Sequence, residues 1–123
     1  MKKILVGMIL ACAAMAHAAG SVNVPRGYMS GNAYQGFSDL EKRRYVTGVV
    51  DGLLMAPIMA MRDTPRAIRL QSCEINHQIT DNQLVAIVNK YMAEHPESWG
   101  DDMAGLVFRA IRAACATVGS SLD

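Results

Sequence analysis

The sequence predicts an all-α fold, a small bundle of about four helices with one disulfide. Three observations carry that prediction. Two stretches, Ser38-Asp39-Leu40-Glu41 and Thr80-Asp81-Asn82-Gln83, are capping boxes, in which the first hydroxyl accepts from the backbone N–H three residues on and the side chain there reaches back. Behind each box apolar residues recur at helical spacing, and no stretch shows the alternation of a half-buried strand. Cys73 and Cys115 form an even pair once a leader is removed.

In chain order, Met1-Lys2-Lys3 is a charged start, Ile4 to Met15 an apolar run and Ala16-His17-Ala18 a small-x-small cleavage site. Residues 1–18 therefore read as a secretory signal peptide. The apolar run falls short of the roughly 20 residues of a membrane span, so none is expected. Lipid attachment at Cys12 is the weaker reading, because Ile9-Leu10-Ala11 fits the attachment pattern poorly. Cleavage removes Lys2 and Lys3 and leaves ten basic residues against eleven acidic ones. A balance so near neutral implies no nucleic acid partner.

Residues 19–36 are glycine-rich with little periodicity, and read as a flexible leader holding at most a turn or short helix near Ser30. Residues 37–123 then form a single helical domain. A chain of this size buries roughly two thirds of its unfolded surface, enough for a modest core.

The first long helix opens at Asp39, with Val46, Val49, Val50, Leu53 and Pro57 along one side and Leu54 and Ile58 beside them. Pro57 should kink or end it near Ala56. Gly48, Gly52 and Ala56, four apart, form a ridge of small residues along which another helix can approach closely, either within the subunit or across a dimer interface. From Met61 to Gln78 a short helix before Cys73 is expected, with Arg62, Arg66 and Arg69 as a solvated basic face rather than an anion site.

Thr80 starts the next helix, whose stripe is Leu84, Ile87, Val88 and Tyr91, and His95-Pro96 stops it. Another opens near Asp101 or Asp102, where a carboxylate meets free N–H groups and the positive end of the helix dipole. Its stripe is Met103, Leu106, Val107, Ala110, Ile111 and Ala114. The short link between the two makes an antiparallel hairpin. Met29, Met55, Met59, Met61, Met92 and Met103 are expected mostly in the core or at its edge.

In an oxidising compartment the first reading of Cys73 and Cys115 is a disulfide around that hairpin, worth roughly 4 kcal/mol in the chain-entropy account. The alternative joins them with His77 and His95 in a metal site, at a spacing unlike standard zinc modules. His77 and His95 belong to no nucleophile arrangement, so no catalytic residues, resident metal or cofactor are expected. Trp99, in the hairpin turn, is either a lid on the hairpin or an anchor for a partner.

Taken together, Tyr45 to Gly52, Cys73, Ile79-Thr80, Gln83-Leu84-Val85, Val88, Lys90-Tyr91, His95-Pro96-Glu97, Leu106-Val107, Ala110 and Cys115 resemble the Rap/Tai family of periplasmic immunity proteins. These neutralise peptidoglycan amidase effectors delivered by type VI secretion. The resemblance covers roughly residues 30 to 116 and implies a small helical protein, commonly a homodimer, that occludes the cleft of a cognate amidase. The chain departs from the family in lacking a second cysteine pair, in carrying Ala114 where a proline usually precedes the last cysteine, and in having Glu74 to Gln78 in place of a proline-glycine turn. A blocking protein needs something rigid that fills a cleft. The turn offers it, and Glu94, His95, Glu97, Ser98, Trp99, Asp101 and Asp102 are the candidate partner-binding residues. A small periplasmic stress-protective chaperone, or an envelope protein sharing only the fold, is the alternative.

Overall fold

The computed structural model describes residues 28–61 and 64–123. The predicted signal peptide, the first part of the leader and Arg62 lie outside them. Six α-helices follow one another: α1 (Gly31–Gln35), α2 (Asp39–Leu54), α3 (Ala56–Ala60), α4 (Pro65–Asn76), α5 (Asp81–Glu94) and α6 (Met103–Thr117), with a 3-10 turn at Pro96–Ser98. The fold is all-α, and α2, α4, α5 and α6 are the four long helices of the bundle.

The local signals set these boundaries. Ser38 Oγ accepts from the Glu41 N–H at 3.4 Å while Glu41 Oε2 accepts from the Ser38 N–H at 2.9 Å. The Thr80 and Gln83 pair does the same for α5, at 3.3 and 2.8 Å. Each box satisfies two N–H groups that a helix start leaves without partners. The break between α2 and α3 comes at Met55, two residues before Pro57, because proline brings no N–H to continue the ladder.

The α5–α6 hairpin forms the spine, α2 lies across both helices, and α4 closes against α2 and α6. Val46, Val88, Leu106, Val107 and Ile111 are wholly buried between them. Each such side chain contributes about 1.5 to 3 kcal/mol, and truncating Leu106 to alanine would cost about 2 to 5 kcal/mol. The Cys73–Cys115 disulfide, with its Cα atoms 6.1 Å apart, ties α4 to α6 inside this core. Both sulfurs are consumed there, which removes the metal alternative.

The leader ends earlier than expected. Ser30 Oγ caps α1, and Tyr34 is buried in the core, so the folded domain includes residues from at least Ser30 on. Gly31 permits this, because a Cβ there would lie 2.8 Å from Leu106 Cδ1 and from Met92 Cε. Burial of Tyr34 pushes its hydroxyl up to about 12.

Three further expectations are corrected. Among the described residues nothing lies within 4 Å of a Cβ added at Gly48 or Gly52, so no described helix of the subunit packs on these two residues of the ridge. Of the methionines, Met92 and Met103 are buried, but Met55, Met59 and Met61 are exposed, because α3 follows the break at Met55 and buries no residue of its own. The segment before Cys73 is a 12-residue helix that continues past it.

Arg66 and Arg69 on that helix are exposed, as expected, and they also pin the tail. Arg66 donates to Asp123 Oδ1 at 3.0 Å, Arg69 Nε to the Leu122 carbonyl at 3.0 Å, and Arg112 Nε to Asp123 Oδ2 at 2.8 Å. Gly119 makes the turn with φ +78°, and Leu122 is wholly buried.

Candidate functional site

The turn from Glu94 to Asp102 is built from the backbone outward. His95 ends α5, its Nδ1 2.9 Å from the Tyr91 carbonyl and its ring stacked on Tyr91 with centroids 4.1 Å apart. Trp99 folds back over the helix end, where Nε1–H donates to the Met92 carbonyl at 2.8 Å. The same carbonyl also accepts from the His95 N–H at 3.3 Å, so the indole adds a second bond at the end of α5. Asp102 then caps α6, accepting the Gly105 N–H at 2.7 Å.

The segment before α1 clamps the turn from outside. Asn32 N–H donates to the Trp99 carbonyl at 2.8 Å, Gly31 N–H to the Asp101 carbonyl at 3.1 Å, and Met103 N–H to the Met29 carbonyl at 2.7 Å. Ser30 and Asp102 form an isolated antiparallel bridge. Asp101 takes Arg109 at 2.7 Å across the turn.

The candidate residues therefore divide by task. His95, Trp99, Asp101 and Asp102 hold the turn in shape, and Trp99 sits half-buried over the end of α5. Glu94 is exposed, with only a 3.8 Å contact to Lys90, and Glu97 is exposed. Ser98 is half-buried between them and Trp99. A groove of about 450 Å³ is lined by Tyr34, Lys42, Asn89 and Trp99. A second, polar groove of about 430 Å³ runs along Tyr28, Ser30, Asp101 and Arg109. The turn carries two exposed carboxylates, Glu94 and Glu97, and borders both grooves.

Beyond the turn, no described helix is long and apolar enough to cross a membrane. The family described as Rap1a immunity proteins matches residues 11–115, nearly the whole chain. The chain belongs to the Rap1a immunity protein family. No curated protein and no solved structure matches it.

A Rap1a immunity protein works by binding an effector partner, which makes its surfaces the question. Sequence reasoning missed two of them in this chain. The Met29–Asn32 strap was read as part of a leader, because its partners, Trp99, Asp101 and Met103, lie about 70 residues away in sequence. The exposed apolar end formed by Met55, Ile58, Met59 and Met61 was read mostly as core, although Pro57 was already a reason to expect the chain to leave the bundle there.

Proposed function

We propose that this Rap1a immunity protein acts in the periplasm, where it binds a cognate peptidoglycan amidase effector of type VI secretion and blocks its cleft sterically, without chemistry of its own. The family match over residues 11–115 carries this reading. The buried Cys73–Cys115 disulfide fits an oxidising compartment. A homodimer is part of the proposal, with Gly48 and Gly52 of α2 and Ala56 at the start of α3 on the face between subunits.

The gripping element is the Glu94 to Asp102 turn. Because its backbone is hydrogen-bonded on both sides, little ordering entropy is lost on docking. Glu97, and Glu94 behind it, would meet the imidazolium of a catalytic cysteine-histidine pair, which works as an ion pair and is open to competition by a carboxylate. The two bordering grooves would take the rim of the cleft.

The test is a calorimetric titration of the mature protein against the amidase encoded beside it, with hydrolysis of peptidoglycan fragments followed in parallel. Saturable binding with loss of hydrolysis is expected, and Glu97→Ala should weaken it by at least about 1 to 2 kcal/mol at an unchanged melting temperature. Absence of binding sinks the proposal. Binding that Glu94→Ala and Glu97→Ala leave unchanged moves the grip elsewhere on the surface.

A further inference from the structure

One stripe along α2 and its cap residue Met55 faces away from the bundle, with nothing over it among the described residues. Leu40, Arg44, Gly48, Asp51 and Met55 follow one another at intervals of four, four, three and four residues, which keeps them on a single helix face. The buried face, Val46 and Val50, lies opposite. Leu40 and Met55 are 49 % and 48 % exposed. Arg44 and Asp51 are exposed, and among the described residues neither enters an ion pair.

The order of this stripe is self-complementary. About a point midway between Thr47 and Gly48, Arg44 and Asp51 are equidistant, and so are Leu40 and Met55. A two-fold rotation through that point lays cation on anion and apolar residue on apolar residue, each contact occurring twice, as an isologous interface requires. Gly48 sits at the axis with open space above it, where a side chain would hold two helices apart. The stripe is about 22 Å long at 1.5 Å per residue, and the exposed Ile58 and Met59 of α3 extend its apolar end.

Among the described residues the acidic end also lacks a cation. Glu74 of α4 stands close enough to Asp51 for the two carboxylates to repel, and burial followed by that repulsion raises the Glu74 carboxyl above its usual range. A guanidinium brought to the exposed Asp51 would relieve that repulsion.

We propose that a second copy of this chain docks on this face, α2 antiparallel to α2, with Arg44 of each copy against Asp51 of the other and Leu40 against Met55. The inference rests on the homodimer reading and gives that dimer its register and its specificity. Lattice-like close packing of glycines alone would leave the sliding position of the two helices undefined, whereas the charges define it.

Charge reversal tests the pairing. Sedimentation equilibrium of the mature, disulfide-bonded protein is compared for wild type, Arg44→Asp, Asp51→Arg and the double variant, with circular dichroism to check that each is folded. Each single reversal sets like charges together at two symmetric places and should raise the dimer Kd at least about tenfold. The double variant should return it to within about threefold of wild type. A dimeric wild type whose Kd the single variants leave unchanged, or whose loss the double variant fails to restore, overturns the register and leaves the dimer standing. A wild type that stays monomeric to about 100 μM overturns both. Single variants that dimerise normally but lose effector binding overturn the pairing and assign the face to the effector.

Discussion

Around the turn between α5 and α6, groups that a helix end leaves open are closed by the chain itself: Trp99 caps Met92, Asp102 caps α6, and Gly31 and Asn32 take the carbonyls of Asp101 and Trp99. Along the outward face of α2 the described residues supply nothing, and Gly48 and Gly52 have none of them within reach of a Cβ. The difference separates two kinds of exposed surface. The turn is exposed and structural, so most changes there act on stability as well as on binding. The α2 face is exposed and packs on nothing described, so changes there should act on association without disturbing the packing of the bundle.

The largest effect tests whether the turned-back hairpin depends on its brace. Cys115→Ser removes the tie between α4 and α6, and urea unfolding should show a loss of roughly 4 kcal/mol, within the 2 to 5 kcal/mol usual for a native disulfide in a small domain. The mature wild type should expose no free thiol until it is reduced, or unfolded in reductant. Trp99→Ala comes next, since it opens the end of α5 and removes packing as well as the bond to Met92. A loss of about 2 to 3 kcal/mol in the same assay is expected. A melting temperature equal to that of wild type would return Trp99 to the role of partner anchor.

Alkaline titration probes the clamp from beneath. Tyr34 is held neutral by burial, its hydroxyl pushed from 10.0 up to about 12, so the unfolded chain loses its proton first. The stability this contributes is whole below pH 10 and is lost as pH rises toward 12, in total by roughly 2 to 3 kcal/mol. Tyr45, raised by burial and then by Asp102, acts in the same direction. Urea unfolding between pH 9 and 11.5 should show the decline, and Tyr34→Phe should remove most of it.

The smallest effects draw the comparison most sharply, because one substitution is made in both regions. Gly31→Ala sets a methyl against Leu106, Met92 and the Trp99 carbonyl and should cost about 1 kcal/mol. Gly52→Ala meets nothing and lowers the conformational freedom of the unfolded chain, so it should stabilise the monomer by about 0.5 to 1 kcal/mol. Equal signs at the two glycines would erase the distinction between a satisfied and an idle surface.

Much of this was legible in advance because it is local. The capping boxes at Ser38 and Thr80, the stop at His95-Pro96 and the stripes of α5 and α6 depend on residues within about one turn of each other, and hydrogen bonds of that range form in nearly any tertiary setting. The partner of Cys73 followed from cysteine arithmetic once Cys12 was assigned to the leader. The turn was found as a place but not as a mechanism: nothing near Trp99 in sequence says that its indole caps Met92 rather than facing a partner. The 12-residue reach of α4 and the task of its arginines were also missed, since Asp123, which answers Arg66, lies 57 residues away.

By itself, then, the sequence determined helix content, most helix boundaries and the pairing of two cysteines, all of which follow from nearest-neighbour hydrogen bonding, periodicity and count. Only the tertiary structure decided which surfaces are spoken for. It brought Gly31 against Leu106, set the tail between α4 and α6, and left the glycines of α2 uncovered, because each depends on how distant helices divide a limited volume, and that division is a property of the whole packed chain.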